Sequence, residues 1–472
     1  MVRTLLVNAP SAFNLYGNSK VRTAVPVLPC MPLAVLAGEL RHHGHDVRIL
    51  DLAVGRTSPT NLLRETLSSY RPGCVGVTST TPIFHEAAAI AGTAREMLGE
   101  QVLLVAGGPH PQAVPEDCLE NSVFDAIVLG EGEETLRELV EGRPYPEVQG
   151  ICYRENGGFR RTRARPMQKD LDSFAMPAID LFERDYYVCS RIISRQNPVA
   201  PIEMTRGCPF GCTFCNRART KFRVKSVERT LDELRGLRRL GFREFHIIDD
   251  QFTSNMKHAK AVCEAMIRAD LGMTWNLRTG LRVDTVDDEF MSLARRSGCY
   301  QMGCGFESGH QEGLDAVGKG IELEQSRRAV EMARRHGIEI VGFFMIGMPG
   351  ETLEGMEATI AFAQSIRPTY AKCTIVVPFP GTALYAQYER EGRIKTRDWS
   401  RYNFHSPGEI YDHPHLSWKV LRRAYNRFHR RFYFRPTYIR ERLREARRQH
   451  LLLRSAWYAL RTFGPGGMLK VS

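Results

Sequence analysis

The stretch Thr205-Arg206-Gly207-Cys208-Pro209-Phe210-Gly211-Cys212-Thr213-Phe214-Cys215-Asn216 carries three cysteines in eight residues, spaced C-x-x-x-C-x-x-C. Thiolates this close, in a loop rich in glycine and proline, can face one inorganic centre together. Three suit a cube-shaped iron–sulfur cluster with one iron left open, because a closed four-iron site takes four thiolates. A structural zinc site takes four Cys or His ligands. No histidine lies between Cys189 and Cys215, and the next one downstream is His246. Buried free cysteines are common, but three at this spacing read as ligands. The open iron is a place for a substrate or cofactor.

Outward from the loop, short apolar runs alternate with helical patterns. Candidate strands are Ile202–Thr205, Glu244–Asp249, Thr274–Arg278, Gln301–Phe306, Glu339–Ile346 and Tyr370–Val377. About six β/α units over residues 200–400 predict a partial parallel barrel, in which chemistry sits on the loops after the strands. The cysteine loop follows the first strand. Asp249-Asp250 close the second, and Arg278 and Arg282 follow the third. Glu307-Ser308-Gly309 ends the fourth, and Ile346-Gly347-Met348-Pro349-Gly350 ends the fifth. Each has a plain alternative: Asp250 can cap a helix, Gly347–Gly350 can be a tight turn, and Arg282 can be a solvated charge. Together they ring one mouth, with Asp249 and Asp250 as candidate catalytic carboxylates.

Residues 1–141 show the same rhythm. The runs Thr4–Asn8, Asp46–Asp51, Cys74–Thr78, Val102–Ala106 and Asp125–Leu129 are separated by amphipathic stretches. The pattern predicts a doubly wound parallel sheet, which binds ligands at the carboxyl ends of its strands. Polar and glycine-rich turns stand there: Thr78-Ser79-Thr80, Gly107-Gly108 with His110, and Gly130-Glu131-Gly132. No G-x-G-x-x-G follows the first strand, so the dinucleotide fingerprint is absent. Residues 142–199 read as a connector containing a hairpin signal at Asn156-Gly157-Gly158.

Composition fits a globular chain of two or three domains, with 43% hydrophobic and 25% charged residues. Twelve cysteines at irregular intervals are not the framework of a small secreted domain and point to a reducing cytoplasm. The net charge is +12, yet residues 419–472 hold fifteen Lys and Arg against two acids, so the first 418 residues sum to −1. The basicity belongs to a tail, and no nucleic-acid-binding core is expected. Residues 401–472 read as a basic helical extension. Ile439, Leu443, Ala446, Leu453, Trp457 and Leu460 form one helical stripe. Such a helix either docks on the barrel with a solvated basic face or lies on the inner, anionic face of a membrane.

With these motifs in view, the chain resembles the cobalamin-dependent radical SAM enzymes, which fuse a flavodoxin-like B12-binding domain to a radical SAM barrel. That family includes radical C-methyltransferases and the anaerobic magnesium-protoporphyrin monomethyl ester cyclase. The resemblance implies that Cys208, Cys212 and Cys215 ligate three irons of a [4Fe–4S] cluster and that S-adenosylmethionine (SAM) chelates the fourth. It implies SAM contacts from Phe214, Arg282, Glu307, Ser308, Ile346 and Gly347. It places cobalamin against Thr78, Ser79, Thr80, Gly107, Gly108, His110, Gly130, Glu131 and Gly132. The lower-axial pattern D-x-H-x-x-G is missing, and no histidine follows the first strand until His42. Cobalamin is therefore expected without a protein histidine on cobalt. The implied activity is methylation of an unactivated carbon of a hydrophobic or secondary-metabolite substrate, spending two SAM per turnover. The other reading is a cyclisation or rearrangement without methyl transfer. A low-potential electron donor of the flavodoxin or ferredoxin type is the implied partner, besides a small, lipid-like or tetrapyrrole substrate.

Overall fold

The structure, a computed structural model, describes residues 1–10, 27–54, 58–190, 193–403 and 408–448. The first sheet contains β1 (Arg3–Asn8), β2 (Asp46–Asp51), β3 (Cys74–Thr78), β4 (Leu103–Gly107) and β5 (Ala126–Val128), all parallel. Its order is β2-β1-β3-β4-β5, the flavodoxin-like winding, with the reversal between β1 and β3. Strands covered on both faces need apolar residues on both, and Leu5, Leu6 and Val7 are fully buried. The hairpin of the expected connector joins this sheet. β6 (Ile151–Glu155) pairs antiparallel with β5, and β7 (Gly158–Arg161) with β6.

The second sheet is the predicted partial barrel. Its strands are β8 (Val199–Ile202), β11 (Glu244–Ile247), β12 (Thr274–Leu281), β13 (Cys299–Glu307), β14 (Glu339–Ile346) and β15 (Tyr370–Ile375). They are parallel in the order β15-β14-β13-β12-β11-β8. A separate two-stranded ribbon, β9 (Thr205–Arg206) with β10 (Arg223–Val224), brackets the cysteine loop.

The floor of the barrel is closed by a polar network under residues 193–197. Glu244 accepts from His246 Nε2 (2.9 Å), Tyr300 (2.6 Å), Thr274 (2.7 Å) and the backbone N–H of Arg195 and Gln196 (2.9 Å each). Burial resists its ionisation, yet these hydrogen bonds hold its pKa below the usual range.

The extension docks on the barrel. The helix Trp418–Tyr433 buries Trp418, Leu421, Phe428 and Phe432, each contributing about 1.5–3 kcal/mol. Phe428 meets Phe344 of β14 at 5.3 Å. The Tyr433 hydroxyl donates to the Ala371 carbonyl (2.7 Å) and accepts from its N–H (3.2 Å), both on the outer edge of β15. In the next helix, Pro436–Arg448, Ile439 and Leu443 are exposed. Leu453, Trp457 and Leu460 of the expected stripe lie outside the described residues. No helix among the described residues is long and apolar enough to cross a membrane.

Candidate active site

The cysteine loop leaves β9 through Gly207, whose φ is +89°. A Cβ there would stand 2.2 Å from the Lys221 carbonyl oxygen, so only glycine fits where the two ends of the loop meet. Thr220 Oγ1 accepts from the Cys208 N–H (2.8 Å), and the Thr220 N–H donates to the Cys208 carbonyl (2.9 Å). Thr213 ties the middle of the loop to Val317 and Leu384 through backbone bonds of 2.9 Å each.

Asp249 and Asp250 reach back into this loop. Asp249 accepts from the Met204 N–H and Thr205 Oγ1, both at 2.8 Å, and burial pushes its pKa up to about 8. Asp250 accepts from the Gly207 N–H at 3.0 Å and lies 3.4 Å from Arg217. Both carboxylates expected at the mouth thus hold its first loop in shape.

Cys212 is 9% exposed, and Cys208 and Cys215 are partly accessible. Burial raises all three thiol pKa values, and as charges Cys212 raises those of Cys208 and Cys215, with Cys208 also raising that of Cys215. Lys319 and Arg282 act the other way on Cys212. Among the described residues no three Cys, His, Asp or Glu side chains gather around a single ion. Three soft donors without a fourth protein ligand, crowded enough to need a cation, fit a cluster in which each thiolate addresses its own iron.

The wall opposite is built by β13. Glu307 has φ +60° and receives a 2.7 Å bond from Lys319 Nζ. A Cβ on Gly305 would stand 2.4 Å from Glu307 Oε1 and 2.8 Å from Lys319 Nζ, so that glycine makes the cradle for the pair. Arg282 lies 3.7 Å over the Phe210 ring and is paired with Asp284 at 2.8 Å. Ser308 is buried, 3.2 Å from Thr359 Oγ1. Ile346 points outward into the core, and Gly347 turns with φ +74°, its N–H donating to Glu351. Phe214 is partly accessible and packs on the core from within the loop. Lys319 was not legible as part of this wall. Its signal is Gly318-Lys319-Gly320, a lysine between two glycines with φ +63°.

The first sheet meets the barrel at two places. Glu131 takes Arg223 in a two-pronged pair (2.7 and 3.0 Å) and Arg206 at 3.2 Å. Burial opposes its ionisation, but the two guanidiniums hold its pKa low. Arg206 also binds Glu133 at 2.7 Å. The turn expected to face a corrin is therefore clamped to the ribbon that brackets the cysteine loop. Across the mouth, Trp399 Nε1 donates to Asp117 (2.8 Å), and a Cβ on Gly381, in the loop after β15, would come within 2.9 Å of Ala113.

Between these clamps lie the bare backbones of Gly107 and Gly130, with nothing within 4 Å of where a Cβ would be. Gly108, with φ +107°, folds its turn tightly onto Ser79. Ser79 is buried, Thr78 and Gly132 are partly accessible, and Thr80 is exposed. His110 sits beneath the turn between Phe84 and Trp399 (5.0 and 5.1 Å). Burial pushes its pKa down to about 4, and both ring nitrogens lack a partner among the described residues. An open strand-end shelf of glycine backbone fits a large, flat ligand.

A three-thiolate loop over a partial barrel, facing the ligand edge of a doubly wound sheet, defines an iron–sulfur enzyme with a second cofactor domain. The Radical SAM superfamily model matches residues 202–363, and the B12 binding domain model matches residues 20–140. A Pyrococcus horikoshii protein named uncharacterized methyltransferase PH0819 is 34% identical over 86% of this chain and 88% of its own. The anaerobic magnesium-protoporphyrin IX monomethyl ester cyclase of Rubrivivax gelatinosus is 30% identical over 79% of this chain and 68% of its own. The methyltransferase TsrM of Kitasatospora setae, solved with cobalamin and a [4Fe–4S] cluster, shares the fold. Its TM-score is 0.68 at 22% identity, over 82% of this chain and 75% of that one. The chain belongs to the cobalamin-dependent radical SAM enzymes, and its cofactors are a [4Fe–4S] cluster, SAM and cobalamin.

Proposed function

We propose that this enzyme is a radical C-methyltransferase. The carrying observation is the Glu131 clamp to Arg206 and Arg223, which sets the ligand edge of the first sheet against the ribbon around the cysteine loop. In this reading residues 1–141 carry the corrinoid, 142–199 connect, 200–400 form the radical core and 401–472 extend it. The bound groups supply a strongly reducing electron, a hydrogen-abstracting radical and a methyl group.

The chain's own residues do the positioning. Cys208, Cys212 and Cys215 hold the cluster. Asp249, Asp250 and Thr220 fix the loop that presents them. Glu307, set by Lys319 and by the absence of a Cβ on Gly305, faces the SAM ribose. Phe214 and Gly347 offer backbone to the adenine. Arg282 and Ser308 support this wall, since their polar groups are already engaged. Thr78, Thr80, Gly107 and Gly130 form the shelf for the corrinoid. Methyl transfer is favoured over cyclisation because the relative that is 34% identical over 86% of this chain and 88% of its own is named a methyltransferase.

The test is anaerobic reconstitution with cobalamin, SAM and a low-potential reductant. Both 5′-deoxyadenosine and S-adenosylhomocysteine form if the reading holds. Deoxyadenosine without S-adenosylhomocysteine sinks methyl transfer. The reading also assigns a flavodoxin- or ferredoxin-type donor, a cytoplasmic site of action, and contact of the extension with an anionic membrane surface. Because the helix Trp418–Tyr433 is part of the barrel, the membrane test compares the full chain with a chain ending at Arg448. Equal co-sedimentation of both with anionic liposomes removes residues 449–472 from membrane contact.

A further inference from the structure

Inside the barrel, accessible positions alternate with buried ones. The inward residues Arg278, Phe343, Met345, Lys372 and Thr374 are partly accessible, while their outward neighbours Leu277, Phe344, Ile346, Ala371 and Cys373 are buried. One layer lower, the inward residues His246, Asn276 and Gln301 are buried. The barrel is therefore hollow between the Glu244 floor and the cysteine loop.

Two cations line this hollow. Arg278 Nη1 is buried without a partner among the described residues. The acid it feels is Glu244, whose oxygens are already taken by His246, Tyr300 and Thr274. Lys372, across the chamber on β15, feels Arg278 as a like charge. The Arg278 guanidinium thus leaves a buried donor, Nη1, open while its nearest acid is already engaged. An unmade bond there costs stability, so the guanidinium calls for an anion supplied from outside. Its fork of donors matches a carboxylate or phosphoryl group. Arg278 stands just above the floor: its electrostatic neighbours are Tyr300, Cys189, Tyr370 and Glu244. Lys319 and Arg282, by contrast, act on Cys212 at the mouth.

We propose that the chamber takes a substrate bearing an oxyanion, a carboxylate or phosphoryl group, held by Arg278 with Lys372 beside it. Phe343 and Met345 form the apolar wall for its carbon skeleton. This rests on the reading of the barrel mouth as the SAM site. The same oxyanion chemistry has a second source, the carboxylate of SAM itself, and the experiment separates the two.

Full-length, anaerobically reconstituted enzyme carrying cobalamin and SAM is titrated by calorimetry with n-butylphosphonate and, as the uncharged control, n-butanol. Butylphosphonate binds saturably and butanol does not. R278Q weakens butylphosphonate at least tenfold, about 1.4 kcal/mol, R278K recovers part of the loss, and SAM affinity moves less than twofold. If R278Q weakens SAM tenfold and leaves butylphosphonate unchanged, the anion is the SAM carboxylate and the substrate assignment is wrong. Equal butylphosphonate binding by wild type and R278Q, or none by either, also overturns it. Should R278Q fail to fold by circular dichroism, K372M carries the same comparison with an expected loss of at least threefold. The radical reading fails separately, if reduced wild-type enzyme with SAM alone yields no deoxyadenosine.

Discussion

Replacing Asp249 separates a carboxylate that shapes the cysteine loop from one that takes part in chemistry. Its two oxygens meet the Met204 N–H and Thr205 Oγ1 at 2.8 Å, and burial pushes its pKa up to about 8. At neutral pH the group is therefore largely protonated. The Met204 N–H and Thr205 Oγ1 both donate to it. Asparagine keeps the Met204 bond through Oδ1, and the Thr205 hydroxyl turns to accept from Nδ2, so D249N costs under about 1 kcal/mol. Alanine removes both bonds and strands a buried N–H, a loss of about 3 kcal/mol.

The assay is iron per chain after anaerobic reconstitution, together with the urea midpoint. D249N keeps both near wild type, and D249A loses iron and midpoint together. The pH dependence has a definite sign. The folded state keeps a proton that the unfolded chain gives up near its ordinary value of 3.8. The stabilisation is complete below that value and is withdrawn as the pH climbs through about 8. The wild-type midpoint therefore falls between about pH 4 and 8, and D249N lacks this share of the fall. If D249N loses as much iron as D249A, the loop needs a charge and the argument fails. If D249N loads iron but forms no deoxyadenosine, Asp249 takes part in chemistry and the positioning role is refuted.

Three further outcomes follow from the same geometry. Gly305→Ala drives a Cβ into the Glu307–Lys319 pair, so SAM affinity falls at least tenfold, about 1.4 kcal/mol, while iron content is kept; equilibrium dialysis with SAM reads it, and an unchanged affinity rejects the cradle. Glu131→Gln leaves the buried Arg223 without its charged partner, costing about 3 kcal/mol, seen as a lower urea midpoint and faster proteolysis between the two sheets. His110 and His429 are pushed down to about 4 by burial. The stability they lend is present above an ordinary histidine value of 6.5 and drains away as the pH falls through 4. The urea midpoint thus drops between pH 7 and 5, and the double variant H110L/H429L flattens that drop.

The two sheets were legible because their strands read as apolar runs ended by turns, and the cysteine loop because its spacing has few other meanings. Long-range charge pairing was not. Nothing near Glu131 announces Arg206 and Arg223, which lie 75 and 92 residues away. A glutamate between two glycines at a strand end reads equally as ligand contact or clamp. Asp249 and Asp250 were placed at the right rim, but the direction of a carboxylate depends on which backbone N–H groups the next strand leaves open. The stretch Arg427–Tyr438 interleaves arginines with Phe428, Phe432, Tyr433, Phe434 and Tyr438, a pattern that does not say what covers the rings. That cover is set by the free edge of β15, a property of strand order that no local pattern carries.

That edge has a consequence for how the chain is made. β15 is the last strand of an unclosed sheet, and among the described residues its outward N–H and C=O at Ala371 are met by the Tyr433 hydroxyl. The first sheet is complete once residue 161 has been synthesised. The barrel keeps a raw, pairing-competent strand until the helix ending at Tyr433 has left the ribosome. A nascent chain stalled between residues 375 and 433 carries all three cluster cysteines on a barrel still open at one side. Chains cut between residues 375 and 433 are therefore expected to aggregate through β15, and chains extending past residue 433 to stay dispersed in sedimentation.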